Sequence, residues 1–138
     1  MIAHSEWKHD NIFEGIAENG NTILFDADSA HKHGPSPMEA VLMALCGCTS
    51  VDVVSILKKK RQAITGLHVS ATAEQSATPP RVFTKIKLTY AVSGKLSRKA
   101  VEDAVSLSKN TYCSVSKMLE KSAAIDYEIV FVDGEHEP

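Results

Sequence analysis

The sequence predicts an α+β domain, with a mostly antiparallel sheet packed on one long, buried central helix. Three observations predict it. Residues 36–60 are apolar on nearly every side, and Asp52 is the only charge between Ala40 and Leu57. A helix apolar all round needs other elements wrapped about it. Segments that alternate apolar and polar residues lie on both sides of that stretch, and a period of two marks half-buried strands. The two inner strands, within 67–74 and 81–92, are joined by a short loop at 75–80, which makes them antiparallel.

Residues 2–28 read as short strands. Ile2, His4, Glu6 and Lys8 alternate with Ala3, Ser5 and Trp7. Residues 12–17 follow, and Asn19-Gly20-Asn21 supplies a turn before a strand over 22–27, so the last two should pair as a hairpin. Residues 28–35 form a polar loop in which His31 and His33 flank Lys32. Two such histidines can bind a metal. With no carboxylate or cysteine at a metal-ligand spacing beside them, a solvated loop is the simpler reading.

Both ends of the long helix are marked. Ser36 can cap it, Pro37 suits the first helical position, and Glu39 stands three residues after the cap. Lys58, Lys59, Lys60 and Arg61 place cations where the helix dipole favours them. The apolar run is about long enough to span a bilayer, for which roughly 18 residues are the lower limit. Asp52, costing about 3 kcal/mol near a bilayer centre, argues for a core helix instead. Gly47, Thr49, Ser50 and Ser55 dilute the run further.

In the next strand Leu67, Val69, Ala71 and Ala73 point inward and His68, Ser70, Thr72 and Glu74 outward. Residues 81–92 form a long strand with Val82, Thr84, Ile86, Leu88 and Tyr90 on one face, after which Ser93-Gly94-Lys95 turns the chain. Residues 97–109 form an amphipathic helix capped by Ser97, with Ala100, Val101, Ala104, Val105 and Leu107 at helical spacing. Asn110-Thr111 interrupts it. A short helix over 112–121 presents Val115, Met118 and Leu119, residues 127–132 close the sheet, and 133–138 are a tail. With no repeat or linker, residues 1–138 are expected to form a single domain.

Composition narrows the function. The chain is 43% hydrophobic and 23% charged, as in soluble proteins. A net charge of -2 and a pI near 6.3 give no reason to expect nucleic acid or an anionic membrane as partner. The opening MIAHSEWKHD lacks the basic-then-apolar layout of a signal peptide, so a cytoplasmic location is expected. In that reducing compartment three cysteines read as thiols, and a disulfide there would be transient and catalytic.

Cys46 and Cys48 are two apart on one helix and point away from each other. Any partner of Cys48 must come from elsewhere, and Cys113 is the distant candidate. Contact between their helices would bring them within the roughly 6 Å of Cα separation that a disulfide needs. Cys113, in the first turn of its helix, should feel the dipole lower its pKa. Asp52, one turn after Cys48, would raise that of a thiol beside it. Equally, all three could be small buried apolar residues, a common fate of free cysteine.

The run GPSPMEAVLMALCGCTSVDVVSIL resembles the signature helix of the OsmC/Ohr family, the osmotically inducible and organic hydroperoxide resistance proteins. There a Gly-x-x-Pro lead-in opens a buried helix whose reactive cysteine follows the proline by eleven residues; Gly34, Pro37 and Cys48 (48 minus 37) match. The second family cysteine opens a later helix in a Cys-x-Val-x-x-x-Leu context, matched by Cys113, Val115 and Leu119. PRVF at 80–83 and Val92-Ser93-Gly94 extend the likeness over nearly the whole chain. In detail the text most resembles the YhfA-like branch.

The resemblance implies an intertwined homodimer with the two central helices back to back. It also implies a chemistry. The Cys48 thiolate would attack a hydroperoxide and become a sulfenic acid, and Cys113 would condense with it to a disulfide. A small or protein-bound dithiol would restore the thiols, and an apolar pocket around Cys48 would favour organic over hydrogen peroxide. Peroxidase members activate the thiol with an arginine from the N-terminal strand region, held by a glutamate directly after the proline. This chain has no arginine before Arg61 and carries Met38 after Pro37. The neighbouring Glu39 lies about 100° around the helix and already suits the cap.

The candidate catalytic residues are thus Cys48, Cys113 and Glu39, the last a cap first and a catalytic group second. No cofactor or metal is expected. A metal site from Cys46, Cys48, Cys113 and a loop histidine would need Cys46 and Cys48 to point the same way. The alternative function is a non-catalytic dimer that binds a small apolar or electrophilic ligand, or senses oxidants.

Overall fold

The alternating residues at the start of the chain fold as a three-stranded antiparallel meander in the computed structural model of the protein, which describes residues 1–132 and the backbone of 136–137. The chain forms two compact units, Met1–Met43 and Ala44–Pro138. In the first, β1 (Ala3–His9), β2 (Ile12–Ala17) and β3 (Thr22–Asp26) pair in that order. The hairpin between β2 and β3 is the one the turn residues predict, with Phe13 opposite Phe25. Asp10, at φ 47, reverses the chain between β1 and β2.

The polar loop after β3 is organised by Asp26, only 2% exposed. Its Oδ1 accepts the Asp28 N–H at 2.9 Å and its Oδ2 accepts the His33 N–H at 3.1 Å. The Asp28 N–H leads in holding the carboxyl below the usual range, with the His33 N–H and both histidines adding and burial opposing. His31 donates through Nδ1 to the Asp26 carbonyl at 2.8 Å. Gly34 passes so close to the Leu24 carbonyl that no Cβ would fit, a physical reason for the glycine of the lead-in.

Helix α1 (Pro37–Lys59) runs from the first unit into the second. Leu45, Thr49, Val53 and Leu57, each one turn from the next, form its buried stripe. Burying each apolar side chain among them contributes roughly 1.5–3 kcal/mol. By length and composition α1 could cross a membrane, and 22% of its most apolar window is buried within the chain. The expected wrapping on all sides is therefore met, within one chain, along a single stripe. Gly47, Val51 and Ser55 lie exposed on another face.

In the second unit β4 (Ala63–Gln75), β5 (Phe83–Ser97) and β6 (Ala124–Phe131) pair in that order. β4 is antiparallel to β5 and β6 is parallel to it. The inward and outward residues of β4 alternate as expected. β5 departs from expectation at both ends. Gln75 lies opposite Phe83 and Glu74 opposite Lys85, so Thr84 is an extra residue that shifts the phase. Phe83 is buried as a result, whereas Val82 and Thr84 are exposed. The expected turn at Ser93-Gly94-Lys95 is instead a second irregularity, and the strand continues to Ser97. Gly94 adopts φ 121 there, against the Ala63 carbonyl.

Ser97 caps α2 (Arg98–Leu107), its side chain accepting the Ala100 N–H at 3.3 Å. Ala100, Val101, Ala104 and Val105 are buried as predicted, but Leu107 is exposed. The predicted break at Asn110-Thr111 is a π-helical turn over Ser108–Tyr112. It leads to α3 (Ser114–Leu119), which buries Ser116 and leaves Met118 64% exposed. Of the predicted tail, 133–135 and 138 lie outside the described residues, while β7 (His136–Glu137) pairs with the end of β5.

Candidate functional site

Three elements of the second unit meet around a chain of buried hydroxyls. α1 supplies Thr49, directly after Cys48, and Asp52, one turn further on. β5 supplies Tyr90, and the π-helical turn supplies Ser108. Ser108 Oγ donates to Asp52 Oδ2 at 2.8 Å. With that proton committed, Thr49 donates to Ser108 Oγ at 2.8 Å, and Tyr90 donates to Thr49 Oγ1 at 2.7 Å. Thr49, Tyr90 and Ser108 are fully buried, so each hydroxyl needs its partner. Burial pushes the Tyr90 phenol up to about 12, against the pull of Thr49, which keeps it a donor at neutral pH.

The π-helical turn exists because two demands meet in it. Asn110 and Thr111 are weak helix formers, and the Ser108 side chain is drawn to α1. The ring widens by one residue: the Cys113 N–H reaches back to the Ser108 carbonyl at 2.8 Å, an i→i+5 bond. Cys113 then takes an extended conformation and becomes the N-cap of α3, its Sγ accepting the Ser116 N–H at 3.4 Å. Ser116 Oγ donates to the Lys109 carbonyl at 3.1 Å and closes the turn on itself.

This placement brings the two predicted cysteines together, although 65 positions (113 minus 48) separate them. The Cys48 side chain is near enough to act on the Cys113 thiol. Burial pushes the Cys113 thiol up to about 12; the Ser116 N–H pulls the other way, and Cys48 and the Asp52 charge add to the rise. The expected lowering of Cys113 by a helix dipole is therefore overturned. Cys113 sits before the helix rather than in its first turn, and desolvation outweighs the amide it caps. Cys113 therefore keeps its proton at neutral pH. The Asp52 charge bears on Cys113.

Cys46 stands apart from this pair, as the spacing requires. Burial pushes its thiol up, and its charge would act on Tyr90. All three cysteines are free thiols. Glu39, in the first unit, forms a reciprocal cap with Ser36: Ser36 N donates to its Oε1 at 2.9 Å, and its own N donates to Ser36 Oγ at 3.1 Å. The Ser36 N–H leads in holding its carboxyl below the usual range, with His31 adding and burial opposing. Among the described residues, no group of three or more His, Cys, Asp or Glu side chains could hold a metal ion.

Thr49, Tyr90 and Ser108 are site residues that the sequence does not mark as such. The signal at Thr49 and Ser108 is a small polar residue on an otherwise apolar face: Thr49 lies in the stripe of Leu45, Val53 and Leu57, and Ser108 follows the buried face of α2.

Two cysteines brought together by a long helix and a capped turn, on an α+β scaffold, are the feature to compare with known proteins. The sequence profile of the OsmC-like protein family matches residues 29–128, and the chain belongs to that family. Protein YhfA of Escherichia coli K12 is 46% identical over 133 residues, 94% of this chain and 98% of its own. A hypothetical protein of Aquifex aeolicus VF5 is 28% identical, with a TM-score of 0.78 over 96% of this chain and 97% of its own. The fold also matches an organic hydroperoxide resistance protein OsmC of Legionella pneumophila, at a TM-score of 0.71 and 12% identity over 94% of this chain and 95% of its own.

Proposed function

We propose that this protein reduces organic hydroperoxides with its paired thiols. The observation that supports the reading is the juxtaposition of Cys48 and Cys113, 65 positions apart in the chain (113 minus 48), with Cys48 acting directly on the Cys113 thiol. The Cys48 thiolate attacks the outer peroxide oxygen, the O–O bond breaks, and the alcohol leaves after taking a proton. Cys48 is then a sulfenic acid. Cys113 attacks that sulfur; the S–S bond forms, the S–O bond breaks, and the Cys113 proton leaves with the hydroxyl as water. An external dithiol, small or protein-bound, reduces the disulfide by exchange and is itself oxidised. Glu39 serves through the cap that starts the helix carrying Cys48. No cofactor or metal is called for.

The working unit in this reading is a cytoplasmic homodimer built on α1. Val51 is 69% exposed, and a Cβ at Gly47 would meet nothing within 4 Å. Ser50, Val51, Val54 and Ser55 line an open apolar groove ending at Lys58 and Lys59. A second copy of the same face would cover these groups.

Consumption of cumene hydroperoxide in the presence of a dithiol, by the wild type and by Cys48→Ser, tests the proposal. Fast turnover that disappears in the variant is expected, with a Cys48–Cys113 disulfide after one equivalent of peroxide. A second reading, an oxidant sensor or ligand-binding dimer, draws on the Asp52 charge beside Cys113, which disfavours thiolate. It predicts rates no better than a free thiol.

A further inference from the structure

Cys48 and Cys113 lie on separate elements, and one residue is bonded to the neighbours of both. Ser108 is fully buried. Its Oγ is held at 2.8 Å by Thr49 and at 2.8 Å by Asp52, the residues one and four positions after Cys48. Its carbonyl accepts the Cys113 N–H at 2.8 Å. The side chain is thus fixed to the helix of one thiol and the backbone to the amide of the other. Tyr90 completes the line through Thr49 at 2.7 Å. Every hydroxyl in it donates in the same direction, toward Asp52, an arrangement in which each bond polarises the next.

From this geometry we propose that Ser108 is the positioning residue of the thiol pair, and that Asp52 orients it. The clamp keeps Cys113 beside Cys48 while both are reduced. Closing the disulfide then costs little further ordering of the chain, and the pair behaves as thiols at high effective concentration. Ser108 touches neither substrate nor the reacting sulfurs in this role. The widened turn serves the same end. A regular α-helical bond would pair the Cys113 amide with residue 109, whereas the observed bond ties it to the residue that α1 holds.

The inference deepens the proposed function, which supplies the reason to form the disulfide, but it is tested without peroxide. The full-length protein is equilibrated in glutathione buffers of graded ratio. Glutathione disulfide takes two electrons and two protons from the Cys48 and Cys113 thiols, giving the protein disulfide and two reduced glutathiones. The measured constant is the effective concentration of Cys113 for Cys48.

Ser108→Ala, which removes both Oγ bonds, is expected to lower it at least about tenfold. Thr49→Val should lower it likewise, while Thr49→Ser, which keeps the hydroxyl, should restore it. Circular dichroism melts check that each variant is folded. If Ser108→Ala is not, Asp52→Asn carries the test and should give a smaller fall, because its amide oxygen can still accept. Folded Ser108→Ala and Asp52→Asn with constants within about twofold of the wild type would overturn the clamp. Absence of a Cys48–Cys113 disulfide in the wild type would overturn it too. Should the wild type close the disulfide in glutathione with the expected variant pattern, yet leave cumene hydroperoxide unconsumed, the clamp is supported and the peroxidase reading alone fails.

Discussion

Ser36 and Glu39 satisfy each other at the head of α1, with amide-to-side-chain bonds of 2.9 and 3.1 Å running in opposite directions. Each side chain closes an amide that the helix leaves open. Ser36→Ala should therefore cost about 1 kcal/mol, read as a lower urea midpoint, and Ser36→Asp should recover most of it. Glu39→Gln keeps an acceptor and should be the mildest change at that position. Lost hydroperoxide turnover in a Glu39→Gln variant that melts like the wild type would put the carboxylate in the chemistry.

Stability should fall on the alkaline side, and Cys113 should be a principal reason. Its thiol ordinarily titrates at 9.0 but keeps its proton to about 12 in the fold. Between these values the folded state binds more protons than the unfolded one, so the contribution is complete below pH 9 and is lost as pH rises toward 12. Tyr90 acts in the same sense from 10.0 to about 12. Urea unfolding from pH 8 to 11 should show the decline, and Cys113→Ala should flatten its lower part. An identical slope in that variant would mean that the buried thiol is not its source.

Gly94→Ala should be more damaging than Gly20→Ala. Both glycines have positive φ, 121 and 92, and such strain costs on the order of 1–3 kcal/mol. At Gly20 a Cβ would meet nothing within 4 Å, whereas at Gly94 it would run into the Ala63 carbonyl. Thermal melts of the two variants should rank in that order. Equal melts would show that β4 and β5 can shift at the irregularity beside Gly94.

Sedimentation should find the protein dimeric at micromolar concentration. Val51→Asp should drive it to monomer, because a charge would be buried without a partner in the proposed interface. A Val51→Asp dimer as tight as the wild type would move the interface off α1.

The long helix was legible nearly to the residue, because its cap, its proline and its terminal lysines are local signals. So were the β2–β3 hairpin and the alternation of β4. The bulge at Thr84 was not, since it depends on how Gln75 and Glu74 register against β5, and no period within one strand carries that. The pairing of Cys48 with Cys113 came from family resemblance, with spacing alone leaving it open. Its electrostatics could not be read, because the dipole argument is local while the burial that outweighs it is tertiary. Ser108 was invisible for the same reason: a serine at the end of an apolar helix face gives no hint that a distant aspartate is waiting for its proton.

The parallel pairing of β5 with β6 has a bearing on how firmly Cys113 is held. Neighbouring strands that run the same way must be joined by a crossover, and here that crossover is α2, the widened turn and α3, with Cys113 near its middle. The segment is therefore anchored at three places, by β5 and β6 at its ends and by Ser108 on α1 between them. Loosening any one of the three leaves the other two to hold Cys113.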